Sequence, residues 1–190
     1  MQTDIATARA RHGLEVKFTP FDGQAQAAES GLVQGYASLF GEADQGGDVV
    51  APGAFAASLA RLAAAGRKVK FLWQHDPARP IGVWQEVRED ARGLSVSGEI
   101  LADVTQGAEA LTLMRAGAVD GLSIGYRTVK AEANRQTGGR RLLEIDLWEV
   151  SLVTFPMLPT ARAMLAVPDA AEIMELALAE ALAEGAGHPR

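Results

Sequence analysis

The chain has no cysteine among its 190 residues. That excludes disulfide staples, zinc–thiolate centres and a cysteine nucleophile, and it fits a reducing compartment. Histidine is scarce too, with only His12, His75 and His188. A metal site would have to be built from carboxylates around a hard cation. The nearest candidate, Glu42, Asp44 and Asp48, lacks the spacing of a calcium loop and reads as a solvated turn. No stretch approaches the ~20 apolar residues of a membrane helix. The segment 1–18 holds no apolar run of the kind a signal peptide carries, so a cytoplasmic location is expected. Basic residues are outnumbered, 18 Lys and Arg against 24 Asp and Glu, and they form no block. Nucleic acid and membrane are therefore not expected as partners, and no cofactor is implied.

What is present suits a folded domain. Hydrophobic residues make up 48% and charged residues 22% of the chain, enough apolar surface for one core. Residues 1–13 read as a flexible N-terminus. Leu14–Phe18 alternates like a half-buried strand, and 22–30 reads as a loop. Leu32–Phe40 reads as a second strand, with Gly35 marking a bulge or a close backbone approach. Turn residues 41–48 follow. Phe55, Leu59 and Leu62 recur at helical spacing, with Pro52 ahead of the helix and Gly66 just past it. Strands are expected at 69–73, 81–87 and 94–100. A helix is expected at 105–116, with Ala108, Leu111 and Met114 or Arg115 on successive turns and Gly117 as its stop. Strands at 122–130 and 142–155 are joined by a hairpin connection at 134–139. Asp169 is placed to cap a terminal helix over 170–183. About seven strands with two inserted helices predict a β-rich α+β domain, a closed or nearly closed barrel with helices packed outside.

Three residues stand out chemically. His75 is the one histidine in the body of the chain, at the end of an apolar strand where side chains reach a cleft. By position alone it also reads as a surface or half-buried histidine making one structural hydrogen bond. Ser123 lies in Gly121-Leu122-Ser123-Ile124-Gly125, where flanking glycines leave room for another backbone, such as a substrate strand. The letters match a G-x-S-x-G nucleophile elbow, but the following residues continue as strand rather than helix, so the elbow is rejected. Without it, Ser123 also reads as a strand serine between bulge glycines. Glu149 is a carboxylate among Leu147, Trp148 and Val150. Facing inward it must be paired; facing outward it needs no partner. Asp146 and Asp76 compete for the same role.

Taken in order, several stretches resemble the prohead serine proteases of tailed phages and related gene transfer agents. They are Gly35–Phe40, Gly47–Phe55, Leu72-Trp73-Gln74-His75-Asp76, Pro80-Ile81-Gly82, Gly121–Tyr126 and Trp148–Pro156. The resemblance covers roughly residues 31–163, and the domain is expected over 14–163, with a C-terminal helix and tail over 164–190. It implies a fold similar to herpesvirus assemblins, a histidine base at His75 and a serine nucleophile at Ser123. The herpesvirus relatives use a second histidine as third member. This chain has none in its body, and Glu149 is assigned the orienting role. Oxyanion donors are expected among amides of an Arg79–Gly82 loop. The implied substrate is a capsid or scaffold segment, or the chain itself, inside the assembling prohead, with self-association or capture there. The alternatives are a non-catalytic scaffolding protein on the same barrel and a small-ester acyl hydrolase.

Overall fold

The computed structural model describes residues 31–166. The expected strand at 14–18, the loop at 22–30, the terminal helix with its Asp169 cap, His12 and His188 all lie outside the described residues. Within them the chain forms β1 (Leu32–Leu39), β2 (Val49–Val50), α1 (Ala56–Ala64), β3 (Lys70–Trp73), β4 (Asp76–Glu89), β5 (Gly93–Ile100), α2 (Thr105–Arg115), β6 (Gly121–Ala133), β7 (Arg140–Val153) and β8 (Ala163–Leu165). Neither helix is long and apolar enough to cross a membrane.

All eight strands share one mixed sheet in the order β2-β7-β3-β4-β5-β1-β8, with β6 also on β7. β6 runs antiparallel along almost the whole of β7. The other edge of β7 is shared by two parallel partners, β2 at Arg141 and Leu142 and β3 from Glu149 to Leu152. β7 is therefore the strand on which the architecture turns.

No continuous ladder closes the sheet, so the expected closed barrel is not confirmed. Its ends meet through one isolated bridge, Gly121 to Arg162. Two flanking hydrogen bonds, Leu122 N–H to Ala161 O (3.0 Å) and Ala163 N–H to Asp120 O (2.8 Å), extend that contact. The linking segment carries Pro156 and Pro159, which have no N–H to give a ladder, and β8 is only 3 residues long. The close approach expected at Gly35 is real: a Cβ there would stand 2.1 Å from the Arg162 carbonyl oxygen. Residues 79–82 are part of β4, not the expected loop.

Apolar alternation puts Val33, Phe71, Ile81, Trp84, Leu122 and Val150 in one core. At its centre the Trp84 indole stacks on Phe71, with ring centroids 3.8 Å apart. The indole N–H donates to the Val150 carbonyl at 3.2 Å, so this buried donor is satisfied. α1 ends at a left-handed Gly66 and α2 at a left-handed Gly117, as their sequences require. Of the expected α2 face, Leu111 is buried and Met114 packs partly on the core, but Ala108 is exposed and Gly107 and Ala110 are buried instead. Gly107 permits that placement, since a Cβ there would lie 2.1 Å from the Leu101 carbonyl oxygen.

Around the turn at 41–48 each carboxylate has a partner. Asp44 accepts the Gly46 and Asp48 amides, Glu42 accepts the Thr160 hydroxyl, and Asp48 pairs with Arg140. The Arg140 guanidinium and amide hold the Asp48 carboxyl below the usual carboxylate range.

Two outcomes are expected. Trp84→Ala should lower unfolding free energy by about 3–5 kcal/mol, read from urea denaturation; an unchanged midpoint would mean the stack contributes nothing. For Asp48, a lowered folded pKa gives stability that is full above the unfolded value and lost as pH falls through the folded one. The stability gap between wild type and Arg140→Gln should therefore be widest at neutral pH and shrink below about pH 4. A gap independent of pH would assign the effect to packing.

Candidate active site

β7 is not a regular strand. Gly125 of β6 faces Glu149, but the next residue, Tyr126, faces Leu147. Trp148 is thus an extra residue, a β-bulge, and its side chain is 58% exposed. The bulge reverses the alternation. Before it Ile145 and Leu147 point into the core, and after it Val150 and Leu152 do. Glu149 and Ser151, which unbroken alternation would send inward, face the opposite side of the sheet. α1 anchors the irregularity: the buried Ser58 hydroxyl accepts the Leu147 amide at 2.9 Å, and Asp146 accepts the Trp148 indole N–H at 3.1 Å.

On that side β3 and β4 meet in a two-residue turn, Gln74-His75, between the paired Trp73 and Asp76. Both turn residues have positive φ, 52° for Gln74 and 61° for His75. This backbone suits a tight hairpin but favours Asn and Gly, and it costs on the order of 1–3 kcal/mol per ordinary residue. Hydrogen bonds to β7 and its extension hold it down. The Gln74 amide donates to the Leu152 carbonyl (3.0 Å), and the His75 amide donates to Ser151 Oγ (3.1 Å). The Gln74 side chain donates to Thr154 Oγ1 (2.8 Å).

The turn delivers the His75 ring onto Glu149, with Nδ1 2.6 Å from Oε1. The imidazole is 42% exposed while the carboxylate beneath it is 11% exposed. A carboxylate only accepts, so Nδ1 carries the proton and the Nε2 lone pair is left available. The second carboxylate oxygen, Oε2, accepts the Ser151 hydroxyl at 2.5 Å. Asp146 is engaged elsewhere, with Arg61, Arg127 and Trp148. The Trp148 indole N–H and the Arg61 guanidinium keep its carboxyl below the ordinary range. Asp76 pairs with Arg79 and accepts the Ala78 amide. The two competitors for Glu149's place are thus occupied.

Ser123 stands directly across the β6–β7 ladder from Ser151, as Gly125 stands across from Glu149. Opposed residues on one face have Cβ atoms about 4.5–5.5 Å apart, so Ser123 is one cross-strand step from the His75–Glu149–Ser151 cluster. It is 5% exposed. Its hydroxyl has no hydrogen-bond partner among the described residues, and none joins it to His75. Ser123 also lines a cleft of about 290 Å³ with Ser38, Asp48, Tyr126, Arg140 and Met157, which His75 and Glu149 do not line.

The space that the flanking glycines leave is filled by the chain's own groups. At Gly125 a Cβ would lie 2.0 Å from Glu149 Oε1, and at Gly121 it would lie 2.7 Å from the Pro156 ring. Gly125 makes room for the carboxylate. Ser151 escaped the sequence reading. Its signal was the three-residue step from Leu147 to Val150, which breaks a period of two and marks the bulge.

This is a β-rich domain in which a histidine of the β3–β4 turn meets a buried carboxylate of β7, one cross-strand step from a serine of β6. The family described as caudovirus prohead serine protease matches residues 19–175. The prohead protease of Enterobacteria phage HK97 is 35% identical over 144 residues, covering 75% of this chain and 60% of that protein. The prohead protease of Escherichia phage T5 is 29% identical over 124 residues, covering 65% of this chain and 57% of that protein. The capsid assembly protease of bacteriophage T4 has a similar fold, with a TM-score of 0.56 at 12% identity over 66% of this chain and 82% of that one. The chain belongs to the caudovirus prohead serine protease family, and it spans about 60% of the length of those two phage prohead proteases.

Gly125→Ala is expected to evict the Glu149 carboxylate from its place under His75 and to destabilise the fold by about 1–3 kcal/mol. A crystal structure of the variant with Oε1 still within hydrogen-bond distance of Nδ1 would show that the glycine is not needed there.

Proposed function

We propose that the protein is a serine endopeptidase that cleaves capsid or scaffold protein, and its own chain, in the assembling prohead of a phage or gene transfer agent. It would act in the host cytoplasm. The observation that carries this reading is the His75–Glu149 pair at 2.6 Å, set one cross-strand step from Ser123.

Ser123 Oγ attacks the scissile carbonyl carbon as His75 Nε2 takes the hydroxyl proton. The tetrahedral adduct collapses, the C–N bond breaks, and Nε2 returns the proton to the leaving amine. Water then attacks the acyl-enzyme by the same route and frees Ser123. Glu149 keeps the proton on Nδ1 and stabilises the imidazolium that forms at each transfer. The free protein has no Ser123–His75 hydrogen bond, and such contacts commonly tighten only with substrate present. The names of the HK97 and T5 relatives, both prohead proteases, support a capsid component as substrate.

The chain should be co-expressed with the neighbouring capsid gene, and the intact masses of both proteins read. Ser123→Ala and His75→Ala are each expected to abolish processing, and the double variant to be no worse, because the residues act as a unit. Wild-type processing by either single variant would sink the assignment. An unprocessed capsid protein beside the wild-type chain would favour a scaffolding role. Ester cleavage without capsid cleavage would favour an acyl hydrolase.

A further inference from the structure

We propose that Ser151 is a positioning residue of the site, one hydroxyl that fixes both the backbone of His75 and the orientation of Glu149. This rests on the reading of His75, Glu149 and Ser123 as a catalytic set. It adds a fourth member that touches neither substrate nor reacting atoms.

Ser151 has no exposed surface. Its hydroxyl has one proton to donate, and both of its contacts have fixed polarity. The His75 amide can only donate, so Ser151 Oγ accepts from it at 3.1 Å. The Glu149 carboxylate can only accept, so the Ser151 proton goes to Oε2 at 2.5 Å. Neither bond can reverse, and the hydroxyl has no third orientation that keeps both.

Each bond governs a different requirement of the pair. The amide contact restrains a left-handed histidine backbone, which without it has every reason to relax toward negative φ. The carboxylate contact fixes the plane of the group, with one oxygen held by Ser151 and the other on Nδ1. Without it the carboxylate loses its buried donor and is free to rotate about its last torsion, which is broad and two-fold. Ser151 is also the cross-strand partner of Ser123, so the residue fixing His75 and Glu149 lies opposite the proposed nucleophile. A filler serine would need neither contact.

The test measures Ser123 labelling by a fluorophosphonate probe across neutral pH on the full chain, together with the 15N spectrum of the His75 imidazole. In wild type the spectrum should show one neutral tautomer, protonated at Nδ1. Ser151→Ala is expected to mix the tautomers. It should also cut the maximal labelling rate about tenfold to a hundredfold, the scale of a misplaced catalytic group, with probe affinity within about twofold. Ser151→Thr, which keeps the hydroxyl, should recover most of the rate. Ser151→Cys, which keeps the volume but is a weak donor, should not. A folded Ser151→Ala or Ser151→Cys protein with wild-type labelling and a single tautomer would overturn the proposal. If wild-type Ser123 resists the probe altogether, the protease reading fails, and the tautomer spectra still decide the role of Ser151.

Discussion

A carboxylate taken out of water between two strands must be satisfied on every side, and the site is organised around that requirement at Glu149. The group is nearly covered, and an uncompensated charge there would cost several kcal/mol. Two donors meet it, the His75 ring at Oε1 and the Ser151 hydroxyl at Oε2. The space it fills exists because the facing residue on β6 is glycine. The bulge at Trp148 points it away from the apolar core, and Ser58 of α1 holds the strand where the bulge interrupts the ladder. Gly125, Trp148, Ser151 and His75 thus answer one electrostatic constraint.

The histidine turn sits on the other side of that constraint. Two non-glycine residues in the left-handed region are a local cost, and the protein bears it by tying the turn to β7 through Leu152, Ser151 and Thr154. β3 runs parallel to β7 with Trp73 beside Leu152, so the turn leaves β3 at Leu152 and reaches back past Ser151 to set the His75 ring on the carboxylate. Stored strain at a functional position is expected where the surrounding structure over-determines the backbone. Here the sheet register supplies that determination.

Much of this was legible in the residues. Alternating apolar positions located β1, β3, β5, β6 and β7, and helical spacing with Gly66 and Gly117 located α1 and α2. The scarcity of histidine singled out His75, and the apolar setting of Glu149 singled out its carboxylate. The missed elements are those without a pattern. β2 and β8 are 2 and 3 residues long, too short for alternation to register. β4 begins before Pro77 and Pro80, residues that argue against a strand except where pairing is irregular, as its register with β3 is.

The sequence by itself determined which side chains can be buried, where the chain must turn and which few groups can accept or donate a proton, because those follow from composition and local periodicity. Tertiary structure alone decided which groups meet. Glu149 and His75 are 74 residues apart in the chain, and their contact depends on the parallel register of β3 with β7. Ser123 faces Ser151 only in the antiparallel register of β6 with β7. The sheet stays open because the segment returning to β1 carries two prolines and makes a single bridge. A one-residue bulge, worth little in local propensity, reverses the faces of β7 and so sets which side of the sheet carries the site.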